Sequence, residues 1–192
     1  MSNPATEHLR SDPVLADLVR RHGPLTLDPA DDTFERFVAS IVSQQVSTAS
    51  ARAIRERLFD RFDVTPEAIA AADPAALKDV GLSTQKAEYV QNVADAYLND
   101  GYGPEYFAGM DDEAVIDELT TIRGVGVWTG KMYLMFCLGR EDVFPVEDLG
   151  IRNGMEELHS EEMTRAEMRA AAEQWRPYRS YASLYLWRAV DE

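Results

Sequence analysis

The chain has few lysines, a single cysteine and no long apolar run. Only Lys78, Lys86 and Lys131 are lysine, against sixteen arginines and thirty-four acidic residues in 192. One cysteine, Cys137, excludes an internal disulfide framework, a zinc site built from several thiolates and a four-cysteine iron–sulfur cluster. No run of about 18 apolar residues occurs, and the opening MSNPATEHLRSDP has no apolar leader, which points to a soluble, intracellular protein with no membrane partner. No segment alternates apolar and polar residues long enough for a strand, and there is no low-complexity tract or tandem repeat.

What is there is a globular composition with an acidic balance. Hydrophobic residues make up 45% and glycine and proline are sparse, so one substantial core or two small lobes can form. The formal net charge of −15 is opposite in sign to that expected of a nucleic-acid-binding surface. An acidic, lysine-poor surface of halophilic type fits work in concentrated salt, where a Debye length of about 3 Å at 1 M removes long-range repulsion and leaves local contacts in control.

Residues 1–11 read as a frayed tail. From Asp12 the pattern DPVLADLVRRHG is a short amphipathic helix closed by Gly23-Pro24, and Asp32 or Thr33 can cap a second whose buried stripe is Phe34, Phe37, Val38, Ile41 and Val42. Polarity interrupts that stripe at Ser43-Gln44-Gln45-Val46-Ser47, after which Ser47 or Thr48 can cap the next helix. Thr65-Pro66 and Asp73-Pro74 open two short helices, Ser83 a longer one and Asp111 the helix before Gly124. DVGLSTQKAEYV faintly echoes IRGVGVWTGKMYL, as a degenerate second hairpin would.

Two stretches carry chemistry. In IRGVGVWTGKMYLMF, Gly124 and Gly126 bracket one apolar residue ahead of a helix, so a tight turn can present bare amides to a phosphate. In VFPVEDLGIR, Asp148 stands where a helix should begin; it can be an N-cap, a catalytic carboxylate, or both, since the helix dipole favours negative charge there.

G-V-G-x-W-T-G at 124–130, D-V-F-P-x-x-D-L-G at 142–150, S-Q-Q-V-S at 43–47, A-A-A-D-P-x-A-L-K at 70–78 and W-R-P-Y-R-S-Y-A at 175–182 occur in family order. Together they resemble the helix-hairpin-helix, glycine/proline–aspartate superfamily of base-excision DNA glycosylases, and within it the 3-methyladenine DNA glycosylase II family, over roughly residues 12–190. The resemblance implies an all-α, two-lobed helix-hairpin-helix fold without an iron–sulfur cluster. One lobe would span about 40–137 with the hairpin at 119–130, and the other would combine about 12–39 with 138–192. It implies a monomeric, monofunctional enzyme of the cytoplasm and nucleoid that hydrolyses the N-glycosidic bond of alkylated bases in double-stranded DNA and leaves an abasic site.

Residue by residue, the resemblance places the catalytic acid on Asp148, with Glu147 supportive at most, and the base pocket on Trp128, Met132, Leu149 and Trp187. All four can also be read as core residues, and the family often has a tyrosine where Met132 stands and, in some members, an aromatic where Leu149 stands. DNA contact falls to the amides of Gly124 and Gly126, the Thr129 hydroxyl, and Gln44 and Gln45; the position that fills the gap left by the extruded base matches Gln45, flanked by Gln44, and solvated amides ending a helix are the alternative. Arg123 and Arg152 are further phosphate partners or members of internal ion pairs. No cofactor is required, although carbonyls of Thr120, Ile122 and Val125 match those that hold a Na+ or K+ ion at the hairpin. Relatives that also cut the strand carry a lysine where this chain has Trp128; Lys131 lies three residues further on. Rival readings are a non-catalytic helix-hairpin-helix module and a glycosylase for deaminated or mismatched bases.

Overall fold

The computed structural model describes residues 3–190, and among them there are thirteen α-helices and no strand. In chain order they are α1 (Pro4–Arg10), α2 (Ala16–His22), α3 (Thr33–Ser43), α4 (Thr48–Arg61), α5 (Pro66–Ala71), α6 (Pro74–Asp79), α7 (Thr84–Asp100), α8 (Pro104–Phe107), α9 (Asp112–Thr120), α10 (Val127–Phe136), α11 (Leu149–His159), α12 (Arg165–Ala172) and α13 (Arg179–Val190). They fall into a central unit from Ala30 to Leu138 and a terminal unit made of the residues up to Pro29 and those from Gly139 on.

Most helices start where a short polar side chain can satisfy an orphan amide. Asp32, Ser47, Thr65, Asp73, Ser83, Asp111 and Asp148 each accept a backbone N–H of the first turn, which decides for Asp32 over Thr33 and Ser47 over Thr48. Thr164 and Glu167 close a reciprocal capping box on α12.

In the central unit α3 packs on α7 and α10, burying Phe34, Phe37, Val38 and Ile41. That packing puts the first boundary at residue 29/30 and corrects the expectation that residues up to 39 belong with the chain ends. The core continues through Leu58, Ile69, Leu77, Val90, Phe107, Leu119 and Tyr133, with Phe37 and Tyr133 in ring contact. Burial pushes the Tyr133 phenol up to about 12 and the Cys137 thiol likewise up to about 12.

The echo between the two hairpin sequences has a structural counterpart. Gly81, between α6 and α7, and Gly124, between α9 and α10, adopt φ of 106° and 101°, and in each case the helix cap follows two residues later. The first hairpin is closed by the Ser83 side chain on the Lys86 amide, whereas Gly126 caps α10 with no side chain at all.

The terminal unit corrects the reading of residues 1–11 as a tail. Asn3 caps α1, and Ala5, Thr6 and Leu9 are 0–1% exposed, with Ala5 and Leu9 packed in one cluster with Leu15, Leu18, Ile151, Met155, Trp175, Tyr185 and Leu186. Asp12 turns the chain into α2 by accepting the amides of Val14 and Leu15. Gly154 lets α11 close on α13, since a Cβ there would lie 2.7 Å from the Leu186 carbonyl oxygen.

Candidate active site

The terminal unit positions the carboxylate. Phe144, Pro145 and Val146 are buried and turn the chain so that Asp148 begins α11. Its Oδ1 accepts the Ile151 amide at 3.0 Å and the Trp187 indole Nε1–H, from α13, at 2.8 Å. The capping and functional readings of Asp148 are therefore compatible, because one oxygen serves the helix and is also gripped by a side chain 39 residues away. Trp187 does more than wall a pocket: its N–H is committed to the acid while the residue lines a cavity of about 340 Å³ with Leu25, Thr26, Leu184 and Arg188. That volume is at the low end of the roughly 300–1,000 Å³ typical of small-molecule sites. Leu149, expected in the pocket, is 62% exposed beside the acid. Arg152 donates to the Glu147 carbonyl at 2.7 Å, and the Glu147 carboxylate faces Arg169 at 3.7 Å.

The central unit holds the hairpin. Gly124 is required twice over, by its left-handed φ and because a Cβ would lie 2.1 Å from Cγ of Tyr89 on α7. Gly126 is different. Its φ of −106° suits any residue, and nothing lies within 4 Å of where its Cβ would be, so neither strain nor internal packing calls for glycine there. Its bareness leaves the α10 N-terminus open to whatever approaches from outside.

The two glutamines, of which the resemblance matches Gln45 to the intercalating position with Gln44 flanking it, differ in the structure. Gln44 turns inward and its Nε2 donates to the Gly124 carbonyl at 2.9 Å and to the Thr129 hydroxyl at 3.0 Å. Gln44 thus braces the hairpin from within, and Thr129 is 1% exposed with its hydroxyl accepting from Gln44. Gln45 is exposed and held at φ 54°, a left-handed conformation that costs a non-glycine residue about 1–2 kcal/mol. Lys86 steadies the same junction by donating to the Val42 carbonyl at 2.6 Å, and burial pushes its pKa down. Trp128 is half-buried and Met132 is 5% exposed. Arg123 pairs with Glu88, the internal partnership that was its alternative reading.

Sequence reading passed over Tyr89, Lys86 and Gly150. For Gly150 a signal existed: glycine is a poorer helix former than alanine, and it stands within the first turn of α11.

Comparison with known proteins agrees with this geometry. The family described as HhH-GPD superfamily base excision DNA repair protein matches residues 38–178. The chain is 32% identical over 186 residues to DNA-3-methyladenine glycosylase 1 of Schizosaccharomyces pombe, covering 91% of this chain and 79% of that one. It is 35% identical over 175 residues to DNA-3-methyladenine glycosylase 2 of Escherichia coli, covering 85% of this chain and 60% of that one. It likewise spans 62% of the length of a relative from Bacillus subtilis. Among solved structures, 3-methyladenine DNA glycosylase (Mag1) of S. pombe in complex with abasic DNA superposes with a TM-score of 0.91 at 30% identity, covering 99% of this chain and 98% of that one. With most of its length matched, and with the hairpin and Asp148 inside the match, the chain belongs to the HhH-GPD superfamily of base excision DNA repair proteins.

Proposed function

We propose that the chain is a monofunctional DNA glycosylase that removes alkylated bases such as 3-methyladenine from double-stranded DNA. The observation that carries this reading is the Asp148 carboxylate, fixed at the start of α11 by one backbone and one indole N–H. As the bond between C1′ and the base nitrogen breaks, its electron pair leaves with the base and positive charge develops on the sugar, as in glycoside cleavage. A carboxylate held beside C1′ stabilises that charge and orients the water whose oxygen bonds to C1′, releasing one proton. A cationic alkylated purine leaves as a neutral base, and its charge suits the electron-rich face of an aromatic ring such as the Trp187 indole. Such a base reaches the site only after leaving the stack. Gln45, exposed and poised in a strained backbone, is suited to fill the space behind it.

Backbone phosphate would be taken by the amides at Gly124 and Gly126, for which the bare N-terminus of α10 is the supporting feature. Carbonyls of Thr120, Ile122 and Val125 are neutral oxygen donors of the kind a Na+ or K+ ion accepts, and the Ile122 oxygen also accepts the Val125 amide at 3.0 Å. A cation there would offset phosphate charge. Trp128 in place of an amine supports base release without strand cleavage.

The test is single-turnover excision from duplex oligonucleotides bearing one 7-methylguanine. Asp148→Asn should slow it by about 10²- to 10⁴-fold while affinity for duplex DNA stays within a few-fold. Wild-type rates in that variant would end the proposal, and a borohydride-trapped DNA adduct would overturn the monofunctional assignment.

A further inference from the structure

Gly150 is one residue into α11 from Leu149 and does not use its conformational freedom, since its φ is not among the positive ones. What it provides is space. A Cβ at Gly150 would lie 2.9 Å from Cδ1 and 3.3 Å from Nε1 of Trp187, and 3.1 Å from Oδ1 of Asp148, against both ends of the hydrogen bond that holds the acid. The surroundings offer little room for retreat. One turn further along α11, Gly154 is pressed against the backbone of Leu186, the residue next to Trp187, so the two helices cannot separate locally without losing that close approach. The indole is a rigid bicycle, and the same Oδ1 of Asp148 is also tied to the Ile151 amide. Any added side chain at 150 must therefore be absorbed by rotating the indole or displacing the carboxylate.

We propose that Gly150 is a positioning residue for the reaction, acting through Trp187: its missing side chain lets the indole N–H reach Asp148 and set the direction of the carboxylate. This rests on the reading of Asp148 as the catalytic acid. It makes Trp187 an orienting donor as well as a pocket wall, and it predicts that the two positions act as one unit.

The experiment compares Gly150→Ala, Trp187→Phe, the double variant and Asp148→Asn. For each it measures single-turnover excision of 7-methylguanine, affinity for a duplex containing an abasic-site analogue and melting temperature, and, in the variants that keep the indole, the Trp187 N–H resonance. Gly150→Ala should keep its melting temperature and bind the duplex within about twofold, yet excise at least about tenfold more slowly, the scale of loss expected from misplacing a reacting group by a fraction of an ångström. Its indole resonance should move toward that of an unbonded N–H. The double variant should be no slower than Trp187→Phe alone, because the bond that Gly150 protects is already gone. Wild-type excision in Gly150→Ala overturns the inference, as do losses that multiply in the double variant or an unmoved resonance. If Gly150→Ala fails to fold, Trp187→Phe decides, and wild-type excision there overturns it as well. A fully active Asp148→Asn variant removes the underlying reading instead, and is told apart because it does so whatever happens at residue 150.

Discussion

Two neighbouring glutamines show how much one torsion can decide. Gln44 ends α3 with its amide pointing into the central unit, where both N–H donors are occupied, while Gln45 flips to positive φ and faces solvent. Removing the Gln44 side chain would deprive the Gly124 carbonyl and the buried Thr129 hydroxyl of a donor. At about 0.5–1.5 kcal/mol per hydrogen bond, Gln44→Ala should lower stability by about 1–3 kcal/mol. It should also weaken duplex binding, because the hairpin turn loses its brace. Urea unfolding and fluorescence anisotropy check this together, and an unchanged midpoint with unchanged affinity would refute the bracing role.

At the scale of elements, the chain is a set of short helices whose caps are local and whose packing is not. Helix α1 is only 7 residues long, too short to hold by itself in water, and is retained because Ala5 and Leu9 enter the core of the terminal unit and because it packs on α2 and α13. Leu9→Ala should therefore cost about 2–5 kcal/mol, a core-sized loss, measurable as a drop in the urea midpoint. A loss below about 0.5 kcal/mol, typical of surface positions, would return these residues to the status of a tail. The two hairpins teach a related lesson. They share a glycine in the same left-handed turn, but Ser83 occupies the first amides of α7 and Gly126 leaves those of α10 bare. One side-chain hydroxyl distinguishes a hairpin closed on itself from one able to take an anion.

For the molecule as a whole the governing quantity is charge. A net charge of −15 repels a polyanion at low salt, and several arginines on the surface are engaged in exposed pairs, such as Arg20 and Arg21 with Asp17, that add little stability. Salt at about 1 M shrinks the Debye length to about 3 Å, so under the proposed function local contacts would govern binding. Excision of 7-methylguanine should persist or rise between about 0.1 and 1 M salt, in contrast to the steep fall expected when many phosphates are neutralised by lysine and arginine. A sharp optimum below about 0.1 M would contradict this.

What the sequence determined by itself are the features set within a few residues: the caps, the glycine turn before α10, the placement of Asp148 at a helix start, and the family through its ordered motifs. These depend on torsional preferences and first-turn hydrogen bonds, which a short window of sequence contains. Tertiary structure alone decided that residues 4–10 form a helix with one buried face and that α3 belongs to the central unit. It also decided that Gln44 braces where Gln45 protrudes, that Thr129 is enclosed, and that Trp187 reaches Asp148 past a glycine. Each of those outcomes is a contact between residues far apart in the chain, 85 positions for Gln44 with Thr129 and 39 for Trp187 with Asp148. Such contacts depend on which faces the packed helices turn toward one another, and no local pattern of residues encodes that.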